Sequence, residues 1–206
     1  IEFTKHAYKS GASYGLVVTP YYNKPNQIGL INHFKKIAKV TPLKQIIYNI
    51  PGRSIVDLSY DSFKNLNKVS NIVGIKDASN DMSRPLFMRT FMKKDFNYLS
   101  GEDGTIAGFL AQGGHGCISV TANVAPKLTS KLHHFWLKKN YKEFDKVNLK
   151  LAPLSQILFA EPSPTPAKYA LSLMGKCNYE VREPLFELSS QTKAQIKKTI
   201  KDLNFI

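Results

Sequence analysis

The chain has 206 residues, of which 43% are hydrophobic and 21% charged, with 12 glycines and 11 prolines. That suits one domain with a real core, excludes disordered and collagen-like chains, and leaves no apolar run near the ~20 residues of a membrane span. The formal net charge is +14, but only Arg53, Arg84, Arg89 and Arg182 are arginines and the lysines are scattered, which favours a solvated basic surface over a nucleic-acid footprint.

Taken in chain order, short apolar β-branched runs at residues 14–19, 45–50, 71–76, 97–101 and 116–121 read as buried strands. Their starts fall 31, 26, 26 and 19 residues apart, the pitch of βα units in a parallel sheet. Between the first two, Ile28, Ile31, Phe34, Ile37 and Ala38 line one helical face with Lys35, Lys36 and Lys39 opposite. Phe63, Leu66 and Val69 repeat the pattern after a Ser59 cap, and Asp103 is placed to cap a helix that buries Ile106 and Leu110. Beyond residue 122 the strand signal stops, and helices are predicted near 124–139, 141–159, 166–174 and 191–203.

Five βα units fit a doubly wound sheet or part of an eight-stranded barrel. The glycine clusters at 100–104 and 112–116 match neither a dinucleotide fingerprint nor a phosphate-cradling loop. That favours the barrel. The expected organisation is a barrel portion at 1–139 and a C-terminal helical region at 140–206. Cys117 and Cys177 form neither a disulfide framework nor a metal cluster, which suits a reducing cytosol.

Barrels carry chemistry at the carboxyl ends of their strands. There Lys76 stands out. By simple alternation it shares a face with Ile72 and Gly74, the glycine leaving space beneath it. A lysine among apolar strand neighbours is desolvated toward its neutral amine, a nucleophile that forms Schiff bases with carbonyls. Equally, a lysine at a strand end can snorkel to solvent. Tyr48 has the same inward parity on the preceding strand, and fits either a buried structural hydroxyl or a proton shuttle. Arg53, in a strand-to-helix loop, is suited to grip a carboxylate. The five histidines show no ligand spacing, and His133-His134 reads as core edge and surface. No metal is expected.

Five ordered segments carry a family resemblance: Val18-Thr-Pro-Tyr-Tyr-Asn-Lys-Pro25, Tyr48-Asn-Ile-Pro-Gly-Arg53, Ile72-Val-Gly-Ile-Lys-Asp-Ala78, Leu99-Ser-Gly-Glu-Asp103 and Gly113-Gly-His-Gly-Cys-Ile-Ser-Val-Thr-Ala-Asn123. In order and spacing they resemble the dihydrodipicolinate synthase (4-hydroxy-tetrahydrodipicolinate synthase) family of class I Schiff-base lyases. The resemblance implies an α/β fold, a (β/α)8 barrel of which strands four to eight lie in this sequence. It implies condensation of pyruvate with L-aspartate 4-semialdehyde in lysine and diaminopimelate biosynthesis, without a cofactor, by a cytoplasmic homotetramer built as a dimer of dimers.

On matching positions, Lys76 resembles the Schiff-base lysine and Tyr48 the tyrosine that moves protons there. Tyr22 is similar to the relay tyrosine that reaches into the neighbouring subunit's site. Arg53 is similar to the arginine that binds the aldehyde substrate's carboxylate, and Gly101 and Ile118 to positions whose backbones line the pyruvate pocket. Sialic-acid and 2-keto-3-deoxy sugar-acid lyases share the lysine and the Tyr-Asn-Ile-Pro start, and Arg53 distinguishes this chain from them. Departures are small, Glu102 where aspartate is common and Ser54 where threonine usually follows the arginine.

The large departure is upstream. The family carries three further βα units there, with a threonine-pair loop that contacts pyruvate, and residue 1 here is Ile rather than Met. Against the ~250 residues of a complete barrel, this predicts a natural polypeptide extending by roughly 80–90 residues, and little activity from residues 1–206 alone. An inactive remnant and a related pyruvate-dependent aldolase are the alternative readings.

Overall fold

The computed structural model describes residues 1–206, which divide into two compact units, Ile1–Ile118 and Ser119–Ile206. In the first unit, α1 (Glu2–Lys9) precedes β1 (Tyr14–Val18), α2 (Gln27–Lys39), β2 (Lys44–Asn49), α3 (Pro51–Ser54) and α4 (Tyr60–Leu66). There follow β3 (Ile72–Asp77), α5 (Arg84–Met88), β4 (Asn97–Ser100), α6 (Ile106–Ala111) and β5 (Gly116–Cys117). The strands form one parallel sheet in the order β1-β2-β3-β4-β5. A doubly wound sheet reverses its strand order at a switch point. This one never does.

The core lies on one face of the sheet. Ile47, Ile72, Ile75 and Tyr98 meet Leu30 and Phe34 of α2, Phe63 and Leu66 of α4, Met88 of α5 and Phe109 of α6, all buried. Removing this much apolar side chain from water is the main stabilising term for the unit. Local signals set where the helices start. Asn26 accepts from the Gly29 amide at 2.9 Å, and the expected Ser59 cap accepts from the Ser62 amide at 3.2 Å.

In the elements of this unit four expectations are corrected. In α2 it is Leu30, not Ile28, that joins Phe34, Ile37 and Ala38 in the core, and Ile28 is 69% exposed. Helix α6 starts at Ile106 with Thr105, rather than Asp103, at its N-cap position. Strand β5 ends at Cys117, because residues from Thr121 already turn into helix. The most consequential correction concerns β3. A register shift pairs Gln45 with Ile72 but Ile46 with Gly74, so Val73 is an extra residue. Ile72 therefore lies on the helix side with Ile75, and only Gly74 and Lys76 share the other face.

The second unit is helical: α7 (Thr121–Val124), α8 (Pro126–Leu137), α9 (Tyr141–Ile157), α10 (Thr165–Leu173) and α11 (Ser190–Asp202). The single helix expected at 124–139 is interrupted at Ala125, where Pro126 opens α8 as its first residue. Asn140 and Ser189 cap α9 and α11 through the amides of Glu143 and Thr192. Leu151 and Leu154 of α9, Ala167 and Ala170 of α10, and Ile196 and Ile200 of α11 are buried.

Candidate active site

Beyond the Val73 bulge, β2 and β3 are in register as Tyr48↔Lys76 and Asn49↔Asp77. Tyr48 and Lys76 thus stand side by side on the face away from the helices, at the carboxyl ends of adjacent parallel strands. The Lys76 ammonium nitrogen lies 4.1 Å from the centre of the Tyr48 ring.

Their environments push both toward the uncharged form. Burial brings the Lys76 amine below the ordinary lysine range, against the opposing pull of Asp103, Glu102 and Cys117. Burial raises the Tyr48 phenol, which Arg53 counters and Glu102 reinforces. Burial likewise raises the Glu102 carboxyl, with Asp103 adding to it and Lys76 opposing. A lysine that titrates low beside a protonated phenol is the combination needed for attack on a carbonyl with proton transfer close by.

The backbone around the lysine is crowded. A Cβ on Gly101 would sit 2.7 Å from the Ala78 Cβ and 3.3 Å from the Lys76 Cε, so only glycine lets β4 pass so near the lysine stem. Gly74 has a different reason from the expected space beneath Lys76. Its Cβ would meet the Asn97 carbonyl oxygen at 2.8 Å, so this glycine lets β4 approach β3. The Gly101 amide donates to the Asp77 carbonyl at 2.6 Å, and the Ile118 amide to the Ser100 carbonyl at 2.9 Å. Both residues therefore extend the strand ladder at the same end as Lys76.

Arg53 lies in α3, exposed and without an ion-pair partner in the chain, close enough to Tyr48 to affect its ionisation. Tyr22 is the one sequence-predicted residue that the fold does not gather in. It is 93% exposed and makes no ring contact or hydrogen bond within the chain.

Sequence reasoning passed over the polar groups behind this face. Asn49 donates to Asp57 at 2.7 Å and Asp77 at 3.1 Å, and buried Arg84 donates to Asp57 at 2.8 Å. Arginine's scarcity in the chain was the available signal for Arg84.

A match to the dihydrodipicolinate synthetase family model spans residues 1–203. The chain belongs to this family. It is 49% identical over 197 residues to the 4-hydroxy-tetrahydrodipicolinate synthase of Bradyrhizobium diazoefficiens, covering 96% of this chain and 67% of that protein. With the Afipia carboxidovorans enzyme of the same name it shares 50% over 200 residues, 97% of this chain and 68% of the relative. Among solved structures, the dihydrodipicolinate synthase of Acinetobacter baumannii, complexed with pyruvate, superposes with TM-score 0.95 at 41% identity, covering all of this chain and 70% of that one. The Aquifex aeolicus enzyme gives TM-score 0.96 at 36% identity over 99% of this chain and 70% of its own. The sequential parallel sheet is thus a run of strands from the synthase family's (β/α)8 barrel, and the family is one of lyases.

Proposed function

We propose that this chain carries the Schiff-base centre of a 4-hydroxy-tetrahydrodipicolinate synthase acting on pyruvate and L-aspartate 4-semialdehyde. The observation that carries the reading is the Lys76–Tyr48 pair, a half-buried amine 4.1 Å from a phenol ring at the carboxyl ends of adjacent barrel strands. Neutral Lys76 attacks the pyruvate ketone, and Tyr48 passes the proton that lets hydroxide leave as water. The resulting iminium accepts electrons when a methyl proton is lost, giving an enamine. Its terminal carbon attacks the aldehyde, whose carboxylate Arg53 holds. The amine of the same substrate then adds to the iminium carbon, closing the ring and releasing Lys76. One water leaves and no oxidant, reductant or metal enters the balance.

Backbone groups of Gly101 and Ile118 line the pyruvate pocket in this reading. Tyr22, exposed and unpartnered, serves a neighbouring subunit of a homotetramer in the cytoplasm. The division at 1–139 and 140–206 into barrel portion and helical region belongs to the same proposal. No helix of the structure is long and apolar enough to cross a membrane.

The test is a substrate panel. With pyruvate and L-aspartate 4-semialdehyde the protein should form the cyclic product, and it should leave 2-keto-3-deoxy sugar acids intact. Cleavage of sugar acids with no use of the semialdehyde would assign it instead to the sugar-acid aldolases.

A further inference from the structure

Behind the reactive pair, on the helix face of the sheet, lies a polar cluster, three of its four side chains buried, in a layer that is mostly apolar. Asn49 follows Tyr48 and Asp77 follows Lys76, so the two are partners in the next step of the ladder. The Asn49 amide nitrogen donates to Asp77 Oδ1 at 3.1 Å and to Asp57 Oδ1 at 2.7 Å, and its oxygen accepts from the Leu58 amide at 3.2 Å. The other Asp77 oxygen accepts from the Ser79 hydroxyl at 2.8 Å and faces the Arg84 Nε at 3.6 Å. Arg84 closes the ring, donating to Asp57 Oδ2 at 2.8 Å and the Leu58 carbonyl at 3.1 Å. Asn49 is fully buried, and Asp77 and Arg84 nearly so. Burying charge in an apolar layer is costly unless each group is paired, so such a cluster calls for a reason.

Its position supplies one. The β2–β3 pairing contains a bulge, and a slip of one residue would turn side chains to the opposite face. The Asn49–Asp77 bond is a side-chain clasp on the far side of that bulge, one residue past the reactive pair. The same Asn49 amide and Arg84 also tie down Asp57 and Leu58, the end of the segment that carries Arg53. We infer that Asn49, Asp77, Asp57 and Arg84 are positioning residues that fix Lys76 beside Tyr48 and anchor the end of the segment that carries Arg53. The inference deepens the proposed function and rests on Lys76 being the amine that reacts.

The experiment follows borohydride trapping of the pyruvate imine, separating its rate from its end-point stoichiometry. A residue with a purely structural role lowers the fraction of chains that ever react, whereas a positioning residue slows trapping at an unchanged end point. Asn49→Leu and Asp77→Leu should slow trapping by about tenfold or more while still reaching the parent end point. Asp77→Asn keeps one acceptor oxygen, for Asn49, and sets its amide against Ser79, whose hydroxyl can turn to accept, so it should slow trapping less than the leucine change, by about threefold. If the leucine variants do not fold, Asp57→Ala carries the test, since that carboxylate is 43% exposed. It should raise KM for the aldehyde about fivefold by loosening the segment that carries Arg53. Parent-like trapping rates in the leucine variants, a loss confined to the end point, or an unchanged KM in Asp57→Ala would overturn the inference alone. A parent protein that does not trap pyruvate on Lys76 would overturn the proposed function, and the inference with it.

Discussion

The two faces of the parallel sheet are built from the same strands but to different ends. On the helix side Ile47, Ile72, Ile75 and Tyr98 are shut from water, and burial pushes the Tyr98 phenol up to about 12. On the opposite side Leu16 is 45% exposed, while Tyr48 and Lys76 are only half covered. One face is packed for stability, and the other keeps titratable groups partly desolvated but within reach of a small molecule. The two meet at the carboxyl ends of β2 and β3, where Asn49 and Asp77 put polar groups into the packed face directly behind the reactive pair. Past the bulge, alternation along a strand thus sets packed and reactive side chains a single residue apart.

Substitutions on the two faces should separate stability from activity. The largest effect is expected for Lys76→Arg. A guanidinium stays protonated and cannot form the imine, so turnover should fall by about 10³-fold or more, with the thermal transition little changed. On the packed face, Phe63→Ala should cost ~3–5 kcal/mol of stability in denaturant titration, while the protein that remains folded still traps pyruvate. If Phe63→Ala instead removed trapping from folded protein, the separation of the faces would fail. Tyr48→Phe removes the hydroxyl and keeps the ring, and should slow imine formation by about 10²-fold without loss of stability. Smallest is Arg53→Ala. It should weaken productive use of the semialdehyde by ~1.5–3 kcal/mol, read as kcat/KM for that substrate, and leave pyruvate trapping near normal. Equal loss in both steps would make Arg53 a structural residue.

The strands, their pitch and the candidate lysine were legible because a buried parallel strand reads as a short apolar run and its end is where barrels place function. Tyr48 was legible for the same reason, one strand earlier. Other features were not, because they depend on groups distant in sequence. The Val73 bulge leaves no local mark, so alternation alone put Ile72 on the wrong face. Gly74 suggested room under a lysine, whereas the nearby atom is a carbonyl of β4, 23 residues on. Arg84 sits 27 residues from Asp57, and nothing in the intervening chain announces their pairing. At the first turn of α2, by contrast, periodicity does choose: Leu30 stands four residues before Phe34 and seven before Ile37, within the apolar stripe, and Ile28 falls outside it.

The central claim is that Lys76 is the amine that captures pyruvate, and borohydride reduction followed by peptide mapping addresses it directly. The account predicts a single label on Lys76. It also fixes the sign of the pH dependence. The neutral form reacts, and burial holds the folded pKa below the ordinary lysine value, so the trapping rate should rise with pH and level off below the ~10.4 of a free lysine. A label on any other lysine, or a rate still climbing through that value, would contradict it.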